Sequence, residues 1–375
     1  MIDLDGLSCD CHNEALETLS KAISEDQHDI WSVHENPFLT KLLEMFTDRG
    51  LNSINKVNTE LGAWLSNHRY TGKPSAPLDG MMQIWNKDEL GLVRIYLESI
   101  PQSEWQLDDY SLLIDYLHQR YLNPAELKTD AEWLVTKSHL MGKAQSALET
   151  INPHTAGLLL EALPSTVASA AVVFNMANAE KQILDYAKLK SMDMVTSASD
   201  AAKHDLKTVL LDHLNKKFSG DETATPRKLQ QSLFDHFSTQ NRDWRRLGLT
   251  EAGNACNEGF IASLPINSKV KRIEQYHGAC GWCKAIDGQI FNLVSADDPN
   301  KNGDTDIWPG KSNIGRSASP RKRTEDGLEL RDKSECWWVA AGLQHPCCRG
   351  RWFVVSEAKK GYNADFTQWF NEKFN

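Results

Sequence analysis

The sequence predicts a mainly α protein that ends in a small α+β domain. Three observations carry this. Apolar residues recur at helical spacing through most of residues 1–240. After Pro265 the texture changes: Gly, Asp, Asn and Pro become frequent, and the possible strands are short. Six of the eight cysteines, Cys256, Cys280, Cys283, Cys336, Cys347 and Cys348, crowd into the last third, with only Cys9 and Cys11 elsewhere. The expected organisation is a helical N-terminal region over 1–150, a helical arm over 151–240, a loop-rich Cys/His-clipped unit over 241–356 and a tail over 357–375.

Between Pro37 and Gly50, Phe38, Leu42 and Phe46, with Leu39, Leu43 and Met45, predict a first helix. Tyr70 to Gly80 is the clearest loop of this region, and Tyr110–Tyr121 and Pro124–Leu148 are further helical candidates. Thr166 to Ala179, rich in Ala and Ser, predicts a helix packed closely against other backbone. Leu206, Leu210, Leu214 and Phe218 form a stripe closed by Gly220. Thr225-Pro226 then opens the next helix as N-cap and first-turn proline, with Leu229, Leu233, Phe234 and Phe237 on its buried face. The short strands are expected at Gln289–Val294, Trp337–Ala340 and Arg351–Ser356, with Asp287-Gly288 as a tight turn before the first.

The composition, 41% apolar and 25% charged, is that of a globular protein and excludes a disordered or fibrous chain. No run of about 18 apolar residues predicts a membrane span, and the N-terminus carries no secretory pattern, so synthesis in a cytoplasm is expected. The net charge of −10 is unevenly spread. Residues 240–375 hold 20 Lys+Arg against 17 Asp+Glu, leaving 21 against 34 for residues 1–239. An acidic half joined to a mildly basic one fits two differently placed regions, or two solvated surfaces.

The chemistry concentrates in the cysteines. Cys280-Gly-Trp-Cys283 is a C-x-x-C pair, which lets two thiolates face one ion, and 62 positions after Cys283 comes His345-Pro-Cys347-Cys348-Arg349. Cys280, Cys283, His345 and Cys348 make a soft, tetrahedral donor set suited to a structural Zn2+. Two rival readings stay open: a redox C-x-x-C, which would follow a strand in a βαβ unit, and reduced thiols packed in a small core.

Here the chain resembles a family, the phage Mu F-like head morphogenesis proteins. Trp244 to Gly259 is similar to their helix with a Thr-Glu pair, here Thr250-Glu251. Lys269–Tyr276 stands where they have a basic strand, then come Cys280 and Cys283, then Asp287-Gly288-Gln289-Ile290-Phe291. Their closing His-Pro-x-Cys-Arg-Cys corresponds to His345-Pro346-Cys347-Cys348-Arg349-Gly350. The likeness spans about residues 200–356. The chain departs from it at Gly350, where the family has a cysteine, so that either the four ligands suffice or Cys347 substitutes, and in a longer stretch around Asp297–Lys333. The resemblance implies a minor head protein of a tailed phage or prophage, carried in the virion at the portal vertex or capsid interior. Its implied partners are portal, capsid or scaffold proteins, and its implied work is head assembly with a part in DNA packaging or ejection. No catalysis is expected.

Other motifs carry less. Asp298, Asn300, Asn302, Asp304 and Asp306 occupy the oxygen positions of an EF-hand-like loop with Gly303 at its centre, but Pro309 stands where the bidentate Glu belongs, which argues against Ca2+. Pro309-Gly310-Lys311-Ser312 lacks the earlier glycine of a phosphate loop. Lys311, Arg316, Arg321, Lys322 and Arg323 are a candidate contact with packaged DNA, opposed by Glu325, Asp326 and Glu329. Glu251 and Glu258 share a helix face and would be the general bases if the centre belonged to a metal-dependent hydrolase or a virion-borne toxin. His12, His204 and His277 are isolated.

Overall fold

A computed structural model describes residues 37–68, 70–73, 75, 78, 84–145, 156–275, 278–325, 327–355, 368, 369, 372 and 373. Cys9, Cys11, His12, His277, the 357–375 tail apart from four residues, and much of the Tyr70–Gly80 loop lie outside them. The chain is mainly α with a small sheet near its C-terminus. The helices are α1 (Pro37–Ser66), α2 (Lys87–Ser99), α3 (Leu107–Tyr121), α4 (Pro124–Lys143), α5 (Ala156–Ala162), α6 (Val167–Val173), α7 (Asn178–Phe218) and α8 (Pro226–Ser263). Then follow β1 (Lys269–Ile273), α9 (Gly281–Ile286), β2 (Ile290–Leu293), β3 (Asp306–Ile307), β4 (Arg321–Thr324), β5 (Gly327–Leu330) and β6 (Arg351–Val354).

The chain divides into two compact units. One comprises Phe46–Asp130 and Met192–Arg245; the other holds residues 37–45, Ala131–Ser191 and the chain from Arg246 onward. The sequence boundary at 240/241 falls inside α8, so the expected arm and the Cys/His unit share one helix.

In the first unit, Leu206, Leu210 and Leu214 are fully buried, as the stripe predicts, while Phe218 at its end is 57% exposed. Gly220 follows with φ +79°, the left-handed stop that a side chain resists. Thr225 caps α8 through Lys228 N–H at 3.3 Å. Gly50 does not end α1. The helix runs through it, and the Trp244 ring lies where a side chain would go: a Cβ there would sit 1.9 Å from the indole nitrogen. Trp244 also stacks on Phe46 with centroids 5.5 Å apart.

In the second unit, α4 and α8 approach backbone to backbone. A Cβ at Gly142 would lie 1.9 Å from Cys256 O, and one at Gly259 would lie 2.1 Å from His139 O. Beside this crossing, His139 and Lys143 both reach the Glu180 carboxylate, at 2.9 and 2.6 Å. The Thr166–Ala179 stretch is two elements instead of one helix. Asn175 takes φ +43° and breaks it, leaving the seven-residue α6 with Val172 82% exposed before α7 begins.

The sheet order is β3-β2-β1-β6, with β1 antiparallel to both neighbours and β3 parallel to β2. Phe260, Ile261, Val270, Ile286, Phe291, Ile307 and Trp352 fill the core under it. Trp337–Ala340, expected as a strand, pairs with none. The side chains of Asn313 and Gln344 satisfy the Trp338 and Ala340 amides in place of a neighbouring strand. A two-stranded ribbon that no local pattern announces, β4–β5, has the register Arg321↔Leu330 and Arg323↔Leu328.

Candidate metal centre

Four separated stretches build the site. Cys280 caps the N-terminus of α9, its Sγ accepting the Cys283 N–H at 3.5 Å. One turn on, Cys283 is fully buried beside Ala279, Leu343 and Cys348. His345 and Cys348 come from the loop before β6, and Arg272 and Glu274 from β1 and the residue just past it.

That loop is held by one face of α8. Thr250 Oγ1 accepts the Cys347 N–H at 3.0 Å, Asn254 Oδ1 accepts the Leu343 N–H at 3.1 Å, and Asn257 Nδ2 donates to Gly350 O at 2.9 Å. Spacing of three or four residues puts these side chains on one stripe, so the helix acts as a splint for the ligand loop. Glu258 joins them by accepting the Gly310 N–H at 2.8 Å. Burial pushes its carboxyl up to about 7, against the pull of the Gly310 and Gly342 amides. Glu251 is 2% exposed and held by Lys190 at 3.1 Å and Ser191 at 2.7 Å. Both carboxylates proposed as bases are thus engaged in binding the chain to itself.

The expected ligands meet in two overlapping groups that share Cys283: Cys280, Cys283 and His345 form one, and Cys348 joins Cys283 with Glu274 in the other. His345 Nε2 lies 3.3 Å from Cys280 Sγ and 3.2 Å from Cys283 Sγ, and Cys283 Sγ lies 4.0 Å from Cys348 Sγ. A tetrahedral Zn2+ with bonds near 2.3 Å to sulfur and 2.0 Å to nitrogen needs ligand separations of about 3.5 Å between nitrogen and sulfur and about 3.8 Å between sulfurs. The cluster can hold a metal ion. His345 Nδ1 lies 2.8 Å from the Pro346 carbonyl, which can only accept, so Nδ1 carries the proton and Nε2 presents its lone pair to the thiols. Trp337 stacks over the same imidazole, 6.1 Å between centroids.

Two members play other parts than the sequence suggests. Cys347 has φ +61° and turns its sulfur to Thr250, 4.0 Å away, outside both groups of converging ligand atoms. Glu274, which the sequence reading missed, converges with Cys283 and Cys348. Its signal was the charged pair Arg272 and Glu274 two positions apart, hence on the same face of the strand as the buried Val270.

Arg272 is fully buried. It donates to Glu274 Oε1 at 2.7 Å, to Gly342 O at 3.1 Å, and lies 3.6 Å from Cys348 Sγ. Burial pushes the Glu274 carboxyl upward. A guanidinium that keeps its proton lies beside it, however, so the two form a buried ion pair. The hydrogen bond to Cys283 and the Arg272 charge hold the Cys348 thiol far below its ordinary value, overcoming its burial. Burial works against a charge on His345, yet the Pro346 carbonyl and the neighbouring thiols raise it. Cys280 is lowered: its burial is outweighed by bonds to Cys283 and His345.

The chain matches no family model, no curated protein and no solved structure.

A cavity of about 620 Å3 lies against the centre, with His345, Glu258, Asn254 and Trp337 in its wall. The other candidate sites are dispersed. Lys311, expected to face DNA, is 1% exposed. Its ammonium donates to Gly303 O and Asp306 O, both at 2.7 Å, and sits among the rings of Trp308, Trp338 and Phe291 at 4.8–5.4 Å. It is an internal plug: two carbonyls and three π faces replace its water. Arg316 lies 3.4 Å over the Trp338 ring, and Lys322 reaches Glu335. Arg321 and Arg323 alone of the five are exposed. In the Asp298–Asp306 loop, Asp298 Oδ1 accepts the Asn300 N–H, Asn302 Oδ1 the Asp304 N–H and Asp306 Oδ2 the Asn302 N–H, while Lys333 pairs with Asp304. These are turn-forming bonds of the kind Asx residues make with nearby backbone.

Proposed function

We propose that the chain is a structural head protein of a tailed phage or prophage whose C-terminal unit is stapled by one zinc ion. The convergence of Cys280, Cys283, His345 and Cys348 across a 62-residue gap carries the zinc part. The loop-rich unit has a four-stranded sheet of short strands, and such a small core gains much from a metal clip. The ordered motifs from Thr250-Glu251 to the His345–Gly350 turn support the head-protein part, with portal, capsid or scaffold proteins as partners and the virion as its place. Four protein donors close a tetrahedral ion to water, so the centre holds the fold and does no chemistry.

Metal analysis of purified protein tests the staple, with about one zinc per chain expected. Mass spectrometry of purified particles tests the placement. A chain absent from particles would sink the head-protein reading and leave the metal reading intact.

A further inference from the structure

The three sulfurs of the cluster differ in what can reach them. Cys280 is exposed, whereas Cys283 is 0% and Cys348 1% exposed. A reagent arriving from solvent therefore meets Cys280 Sγ first. Cys283 stands one turn on in α9, its N–H donating to Cys280 Sγ at 3.5 Å. The ligand atoms of Cys280, Cys283 and His345 all lie within 4.8 Å of one another, so a second thiol stands beside the exposed one. Cys348 is placed otherwise. Its sulfur lies 3.6 Å from the Arg272 guanidinium and 3.5 Å from a Glu274 oxygen. The loop that carries His345 and Cys348 is tied to α8 through Thr250, Asn254 and Asn257, by bonds that involve no sulfur.

We propose that Cys280 is a modification site for hydroperoxides, with Cys283 as the thiol that resolves it into a disulfide. The Cys280 thiolate attacks a peroxide oxygen: an S–O bond forms, the O–O bond breaks and hydroxide leaves. The Cys283 thiolate then attacks the sulfenic sulfur: an S–S bond forms, the S–O bond breaks and a second hydroxide leaves. Two thiolates and one hydrogen peroxide thus give one disulfide and two hydroxides, with sulfur oxidised and peroxide reduced. Where the site carries zinc, a consequence that rests on the reading above, the disulfide removes two donors, because the thiolate is the metal-binding form. His345 and Cys348 stay on their loop against α8, so reduction can rebuild the site. Reducing surroundings keep the staple closed and oxidising ones open it.

Treating the zinc-loaded full chain with hydrogen peroxide tests this, with zinc followed by a chromogenic chelator and disulfides mapped by mass spectrometry of unreduced peptides. One Cys280–Cys283 disulfide is expected for each zinc released, and release should be roughly tenfold or more faster than without peroxide. A thiol reductant with added zinc should restore the starting state. Trp282, between the two cysteines in sequence, meets Trp337 edge-on at 6.0 Å, so tryptophan emission should change with the release. Cys347→Ser should react as the wild type does, since that sulfur turns to Thr250. Zinc retained through a large excess of peroxide overturns the proposal. So does a disulfide at Cys283–Cys348 instead, or oxidation of Cys280 to a sulfinic acid with no disulfide formed. A purified chain without zinc would sink the staple reading alone. The Cys280–Cys283 disulfide mapped in that metal-free chain would still uphold the sulfur chemistry, and its absence would overturn it.

Discussion

Glu274 and Gly350 fit each other so closely that a Cβ on Gly350 would lie 2.0 Å from Glu274 Oε1. The carboxylate cannot swing away cheaply, because it is paired with Arg272 inside the core. Position 350 therefore has no room for a side chain beneath the carboxylate that reaches over it from the end of β1.

Gly350→Ala is therefore expected to cost about 1–3 kcal/mol by overpacking. Glu274→Gln should cost more, about 3–5 kcal/mol, because it leaves a buried guanidinium without its anion. Denaturant titration measures both. A Glu274→Gln protein as stable as the wild type would show that the ion pair is not formed in solution.

The donors differ in what their loss should do. Cys283→Ser removes a fully buried ligand and should abolish metal binding together with the near-ultraviolet circular dichroism of the C-terminal tryptophans. Cys347→Ser should keep the metal, since that sulfur turns to Thr250. Chelation of the wild type should reproduce the Cys283→Ser spectrum. Equal metal loss in both variants would reassign the ligand set.

Lys311 should behave as a core residue. Lys311→Met leaves the Gly303 and Asp306 carbonyls without a donor and is expected to cost about 1–3 kcal/mol. DNA retention should stay unchanged. The plug also explains why Gly303 has no side chain, since a Cβ would lie 2.6 Å from the Trp338 ring.

His118, on α3 in the first unit, gives the pH dependence. It is 3% exposed and neither ring nitrogen has a hydrogen-bond partner. Burial, with Lys203, His236 and Lys207 nearby, pushes its pKa down from 6.5 to about 3. Between those values the unfolded chain binds a proton that the folded chain refuses. Stability is therefore whole above about pH 6.5 and falls on acidification, by up to about 1.4 kcal/mol per pH unit, until about pH 3. His118→Leu should flatten this slope at little cost near pH 7, as no hydrogen bond is lost. A slope unchanged in the variant would place the acid sensitivity elsewhere.

Much was legible in the residue order because it is local. Helical stripes such as Leu206–Leu210–Leu214, the Gly220 stop and the Thr225-Pro226 start depend on neighbours within a turn or two. The Cys280/Cys283 and His345/Cys348 couples were legible for the same reason, each being a short-range pattern whose donor chemistry is distinctive. What the sequence alone determined was the helix-then-sheet class and the set of donor groups. Tertiary structure decided the rest, because burial and partner choice depend on residues far apart along the chain. Lys311 reads as a surface cation until three rings close around it. Gly50 reads as a helix stop until Trp244 lies on it. Glu274 enters the centre only when β1 brings it over Gly350, a contact between positions 76 residues apart that no local pattern encodes.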